Sequence, residues 1–227
     1  MRYYTAVSGG VKAKRAYTTT LRQELAQLTR QRILEAARLL LVEGIYSQVT
    51  MEEIAREAGV AYQTLYAVFR TKLRLAEAMV DEGWPHIAAA VKLLETVRET
   101  SDAEVWLATI ASMSRRIYEP CVDLERFLRE SGDAELLRRY REVRRRRYER
   151  LSALRELLEK SPRLRPELTA AEAIDLIWSV SGPENYVELD FERGWSPDRY
   201  ESWLADALRA LVLRPASALP VEGELTS

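Results

Sequence analysis

The chain has 227 residues, of which 47% are apolar and 30% charged, and its net charge is −1. That is enough length for one large domain or two smaller ones, and enough apolar surface for a sizeable core. The totals exclude a polycation, an internal disulfide (Cys121 is the single cysteine) and a spanning helix, since no apolar run approaches the roughly 18 residues a span needs. A reducing, cytoplasmic setting is expected, and the first twenty residues lack the apolar stretch of a signal peptide. The mean hides an asymmetry. Residues 1–80 carry twelve Lys and Arg against seven Asp and Glu, while the remainder carries 22 against 28. A basic N-terminal portion on an acidic body implies that one end meets a polyanion.

Helical periodicity dominates the chain, and no alternating strand run is bounded by turn residues, so the fold class is all-α. Residues 1–26 read as a basic flexible arm holding Lys12, Lys14, Arg15 and Arg22. Ile33, Ala36, Ala37, Leu40 and Leu41 then recur at spacings of three and four, marking an amphipathic helix that Gly44 closes as a C′ residue. Thr50-Met51-Glu52-Glu53 is a capping box that starts a second helix, with Ile54, Ala55 and Ala58 inward and Gly59 at its end. The run from Tyr62 to Phe69 turns Leu65, Val68 and Phe69 inward, and Thr71-Lys72 leads into a fourth helix in which Pro85 predicts a kink. Further helices are predicted at 87–99, 102–118, 123–130, 133–160, 169–182 and 196–213. The segment 161–166 reads as a loop, and 214–227, with two prolines and no periodicity, as a disordered tail.

Two helices of about eight residues are too short to be stable alone. They must pack on the first helix, and the tight Gly59 turn sets them steeply, as in a helix-turn-helix whose second helix enters the major groove. The stretch from 27 to 76 resembles the DNA-binding region of the TetR-like (tetracycline-repressor-like) transcriptional regulators. The resemblance rests on Thr29, Ile33, Ala36, Ala37 and Gly44, then Thr50, Ile54, Ala55, Ala58, Gly59 and Val60, then Thr64, Leu65, Tyr66, Phe69, Lys72 and Leu75. It implies that Tyr66 and Lys72 meet phosphates and that Tyr62, Gln63 and Thr64 face base edges. Gln63 can pair bidentately with adenine, and the Thr64 methyl can touch thymine. Thr50 caps its helix and is a candidate phosphate donor. Ala61 departs from the Ser or Thr that many relatives use as a cap. Arg70 stands where Gly or Pro is frequent, and is a candidate phosphate contact. The basic arm either tracks a minor groove or adds only nonspecific attraction.

The expected organisation is therefore an arm (1–26), a helix-turn-helix domain (27–73), a larger helical ligand-binding and dimerisation domain (74–213) and a tail (214–227). One helix-turn-helix reads few base pairs, so specificity calls for two, about 34–36 Å apart on a palindromic operator. The resemblance implies a two-fold homodimer through the last two strong helices, which carry Ile174, Ile177, Trp203, Leu204, Leu208 and Leu211; the alternative is that these fill the protomer core. Trp106, Met113, Tyr118, Tyr148 and Trp178 are candidates to line an effector cavity, or are plain core. His86 and Trp84 lie on the helix that, by the resemblance, links pocket to DNA-binding unit. In "YREVRRRRYERL" a helical wheel turns Arg144 and Arg147 inward and Arg145 and Arg146 outward. Inward guanidinium groups need partners: an acid such as Asp102, Glu172 or Asp175, or an anionic effector.

These features read as a ligand-responsive transcriptional repressor, with double-stranded DNA and a small-molecule effector as partners and no cofactor or metal. The rivals are an all-α enzyme and a helical interaction module. One His and one Cys cannot build a zinc cluster, and neither a phosphate loop nor a nucleophile elbow is present.

Overall fold

The structure, a computed structural model, describes residues 10–97 and 100–215; side chains are described from residue 21 onward, Trp84 excepted. Among the described residues the chain is helical, with no strand and one isolated antiparallel bridge, Leu164 to Leu213. It divides into two compact units at Met79/Val80, later than the expected boundary at 73.

The first unit contains α1 (Gly10–Glu43), α2 (Met51–Glu57), α3 (Tyr62–Phe69) and the start of α4 (Lys72–Asp81). The helix α1 reaches back to Gly10, through much of the segment expected as an arm. Only its C-terminal part has a buried face, made by Ile33, Leu34, Ala36, Ala37 and Leu41. Ile54, Ala55, Ala58, Leu65, Phe69, Leu75 and Ala76 complete this core, whereas Val68, expected inward, is exposed.

The second unit holds α5 (Trp84–Val91), α6 (Leu93–Thr96), α7 (Ala103–Glu130), α8 (Ala134–Ser152), α9 (Arg155–Lys160), α10 (Ala170–Val180), α11 (Pro183–Val187) and α12 (Pro197–Val212), with a π-helical turn at Glu188–Glu192. Pro85 does not kink a helix. The fourth helix ends at Asp81, and Pro85 stands in the first turn of α5, where its missing N–H has no helical partner to lose. Two predicted helices merge into α7, which runs through Pro120. Burial explains this. Leu107, Ile110, Tyr118, Val122, Leu124, Phe127 and Leu128 are all buried along it. At about 1.5–3 kcal/mol for each large apolar side chain, they outweigh the roughly 3 kcal/mol that an internal proline costs. Conversely, the single helix predicted at 133–160 divides at Ala153–Leu154, where nothing in the local sequence dictates a break.

The core of the second unit joins α7 to α8, α10 and α12. It gathers Leu107, Ile110, Tyr118, Leu151, Leu154, Ile174, Ile177, Tyr186, Tyr200, Leu204 and Leu208. Tyr186 and Tyr200 meet edge to face at 4.8 Å between ring centroids.

Candidate nucleic-acid interface and effector pocket

The placement of α3 begins at the capping box. The Glu53 amide donates to Thr50 Oγ1 at 3.2 Å, and the Thr50 amide to Glu53 Oε2 at 2.8 Å. These bonds hold the Glu53 carboxyl below its ordinary range, the Thr50 backbone contact contributing most. The Thr50 hydroxyl donates to the same carboxylate at 2.9 Å, so its proton is already directed away from any phosphate. Gly59 then turns the chain at φ 63°. From α1, Arg32 Nη2 donates to the Ala58 carbonyl at 2.6 Å, satisfying the end of α2 with a cation at the negative pole of that helix. A Cβ on Gly59 would lie 2.8 Å from that same Nη2. Gly44 serves differently from expectation. It has no left-handed backbone; a Cβ there would lie 2.7 Å from the Leu40 carbonyl oxygen.

So positioned, α3 buries only Leu65 and Phe69 and exposes its six other residues. Tyr62, Gln63, Thr64 and Tyr66 are all in the exposed set, with Tyr62 38% and Tyr66 52% exposed and their rings stacked at 6.1 Å. Ala61 gives α3 no side-chain cap, as its departure from the Ser/Thr pattern foretold. Arg70 closes the helix at φ 61°, and the Thr71 amide donates to the Phe69 carbonyl at 2.7 Å across it. That is a γ-turn of the rare positive-φ kind, a strained conformation for an arginine. Lys72 is half-buried. Its Nζ donates to the carbonyls of Tyr46 (2.6 Å) and Val49 (2.9 Å) and lies 4.5 Å from the Tyr46 ring centroid. One of its three protons is left for a phosphate. Arg22 is exposed, while the Lys12, Lys14 and Arg15 side chains lie outside the described residues.

Among the described residues, the candidate pocket side chains have varied surroundings. Met113 and Tyr118 are buried in the core, and the Tyr118 hydroxyl donates to the Ser181 carbonyl at 2.9 Å. Trp106 Nε1 donates to the Thr100 carbonyl at 3.2 Å, and the Tyr148 hydroxyl to Asp175 at 2.9 Å, at the surface. His86 is exposed, and the Trp84 side chain lies outside the described residues. Arg144 and Arg147 face inward, with Arg145 and Arg146 outward, as the wheel requires. Their partners are not those expected. Asp102 caps α7 and Glu172 caps α10. Arg144 instead pairs with Glu184 at 2.5 Å and stacks over Trp178 at 4.5 Å. Arg147 Nη2 donates to the Trp178 carbonyl at 2.6 Å and to Ser181 Oγ at 2.8 Å, closing the end of α10. Beside them is Glu125, whose carboxyl burial pushes up to about 7 against the pull of Arg147. It borders a void of about 10 Å³ together with Tyr140 and Glu184. The sequence held no signal for Glu125, Ser181 or Glu184, because each acts through a residue remote in the chain.

The expected dimer residues divide. Ile174, Ile177, Leu204 and Leu208 are fully buried within the protomer, so they are core rather than a partner face. Trp203 is half-buried, packed against the core, and Leu211, on nearly the same face as Leu204 but in the last turn of α12, is 36% exposed.

Residues 33–79 match the family model of the bacterial regulatory proteins, tetR family. Among solved structures the chain is similar to NalD, the secondary repressor of the MexAB-OprM multidrug efflux pump in Pseudomonas aeruginosa, at 24% identity and a TM-score of 0.60, over 84% of this chain and 98% of that one. It is also similar to the transcriptional regulator FadR from Bacillus subtilis, solved with stearoyl-CoA, at 19% identity and a TM-score of 0.59, over 80% and 97%. A transcriptional regulator of the TerR/AcrR family from Aquifex aeolicus matches at 20% identity and a TM-score of 0.57, over 81% and 99%. A search of curated protein sequences finds no match. Residues 33–79 are thus a tetR-family segment, and the chain as a whole shares the fold of these solved structures.

Proposed function

We propose that the chain is a homodimeric, sequence-specific DNA-binding transcriptional repressor released by a small-molecule effector, with no enzymatic activity of its own. The observation that carries this reading is α3. It is a helix of eight residues fixed to a core by Leu65 and Phe69 alone, holding Tyr62, Gln63, Thr64 and Tyr66 out to solvent. Two exposed tyrosines beside a glutamine suit a partner with base edges and phosphates. The dimer contact falls to α12, where Ala210 and Leu211 are exposed and Trp203 is half-buried. NalD is described as a repressor and FadR is solved with an acyl-CoA, which supports both the repressor assignment and an effector. The effector acts by favouring a conformation in which the two reading heads no longer match their half-sites, and it can do so only through differential affinity for the two states. No helix among the described residues is long and apolar enough to cross a membrane.

The test is selection from a random duplex pool by the purified chain near physiological salt, about 150 mM, where nonspecific attraction is weakened. A palindrome should be enriched. Gln63→Ala should then lose about 1–3 kcal/mol of binding, concentrated at one base position. Binding with no enriched sequence would leave a backbone grip alone and sink the repressor reading.

A further inference from the structure

A cleft of about 770 Å³ opens on the second unit, lined by none of the residues that the sequence offered as effector candidates. It lies between Glu104 in the first turn of α7, the 161–169 loop, and the last turn of α12 with the segment that follows it. The loop and that segment are stitched together. The Arg165 amide donates to the Val212 carbonyl at 3.0 Å, and the Arg214 amide to the Arg163 carbonyl at 2.8 Å. This clamp holds three arginines, Arg163, Arg165 and Arg214, around one space, and Arg209 of α12 joins them.

The charges do not balance. Four guanidinium groups and three carboxylates (Glu104, Glu167, Asp206) line the cleft. Glu104 is shared, pairing with Arg163 and with Arg209, while Glu167 pairs with Arg165 and Asp206 with Arg209, which leaves an excess of one positive charge. Among the described residues Arg214 pairs with no carboxylate; its Nη2 donates to the Pro162 carbonyl at 2.5 Å. Arg163 Nη2 donates to the Arg214 carbonyl at 3.1 Å, which holds these two arginines side by side at the cleft wall. A planar guanidinium matches an oxyanion, and the cleft brings four of them around one space. The carbonyl end of α12 would repel an anion, but Arg165 already covers it at the Ala210 carbonyl, 2.7 Å away. Leu213, Ala210, Pro166 and Pro215 supply an apolar wall beside the arginines. The volume is that of a small-molecule site, and the stitched loop holds the forks in place before any ligand arrives.

We propose that this cleft binds the oxyanion head, phosphate or carboxylate, of a small organic molecule whose apolar body lies against Leu213 and the two prolines. Calorimetric titration of the full chain with phenyl phosphate, and separately with phenylacetate, at matched ionic strength tests it. Saturable one-site binding of at least one probe is expected. Arg214→Gln should weaken it by about tenfold or more, as removal of a charge-assisted contact does. Arg163→Gln also breaks the Glu104 pair, so Arg165→Gln, at a more exposed position, is measured beside it, with thermal melting as the check on folding. Arg138→Gln, on exposed α8, should change nothing. Preference for one probe assigns the head group, and binding of both supports the general oxyanion. Failure of both probes to saturate, or equal weakening by Arg138→Gln, overturns the proposal.

Discussion

Arg70 and Lys72 stand two residues apart, and both were expected at a phosphate. Their surroundings separate them. Arg70 is exposed and held at φ 61°, where a Cβ is disfavoured and a glycine is not. Arg70→Gly should therefore raise stability by about 1 kcal/mol, read as a higher urea midpoint with unchanged m. The same variant should lower the slope of log K against log salt by about one if Arg70 neutralises a phosphate. A lower midpoint would show that the turn is not strained. Lys72 is half-buried and ties two carbonyls of the α1–α2 connection. Lys72→Ala should cost about 2 kcal/mol or more of stability, since bonds from a charged donor contribute about 1.5–3 kcal/mol each. Its salt slope should also fall by roughly one. A loss of stability with an unchanged slope would make Lys72 a scaffold residue and not a DNA contact.

At the scale of elements, apolar periodicity located the helices but not their joints. It cannot say whether Pro120 ends a helix, because the answer depends on how much of α7 its neighbours bury. Nor can it distinguish a face turned to the protomer's own core from one turned to a partner. Leu204 and Leu211 are seven residues apart on α12 and share nearly the same face, yet differ in what covers them. The first is fully buried and the second is 36% exposed. Leu204→Ala should cost about 2–5 kcal/mol of protomer stability, as a large-to-small change in a packed core does. Leu211→Glu should leave the melting of dilute protein almost unchanged and shift sedimentation toward the monomer. If Leu211→Glu still sediments as a dimer, the exposed end of α12 is not the contact.

The whole molecule is two compact units, and their electrostatics differ. In the second unit Glu125 is surrounded by Arg147, Arg144 and Arg129, which favour its charge, and by Glu184, which opposes it. Burial outweighs them and lifts the carboxyl from 4.5 to about 7. Between those values the folded chain holds a proton that the unfolded chain has released, so this group's contribution to stability falls as pH rises from about 4.5 to 7. Glu125→Gln removes the ionisation. It should gain up to about 3 kcal/mol at pH 8 and almost nothing near pH 4, measured by denaturation at both values. An equal gain at both would mean that packing, not ionisation, is responsible.

The sequence by itself determined how α2 and α3 are built. The capping box, the Gly59 turn and the alternation of Leu65 and Phe69 with exposed Tyr62, Gln63 and Tyr66 are local features. Each acts within a few residues, so each was legible without a fold. It also fixed the inward turn of Arg144 and Arg147, because a helix sets its faces by itself. Only the tertiary structure decided what those arginines meet, since Glu184 is forty residues from Arg144 in the chain. The same holds for the Arg32 clamp on α2, the burial of Ile174, Ile177, Leu204 and Leu208, and the arginine cleft closed by the Leu164–Leu213 bridge. Desolvation and long-range pairing depend on which surfaces are brought together, and that is a property of the folded chain rather than of any one segment.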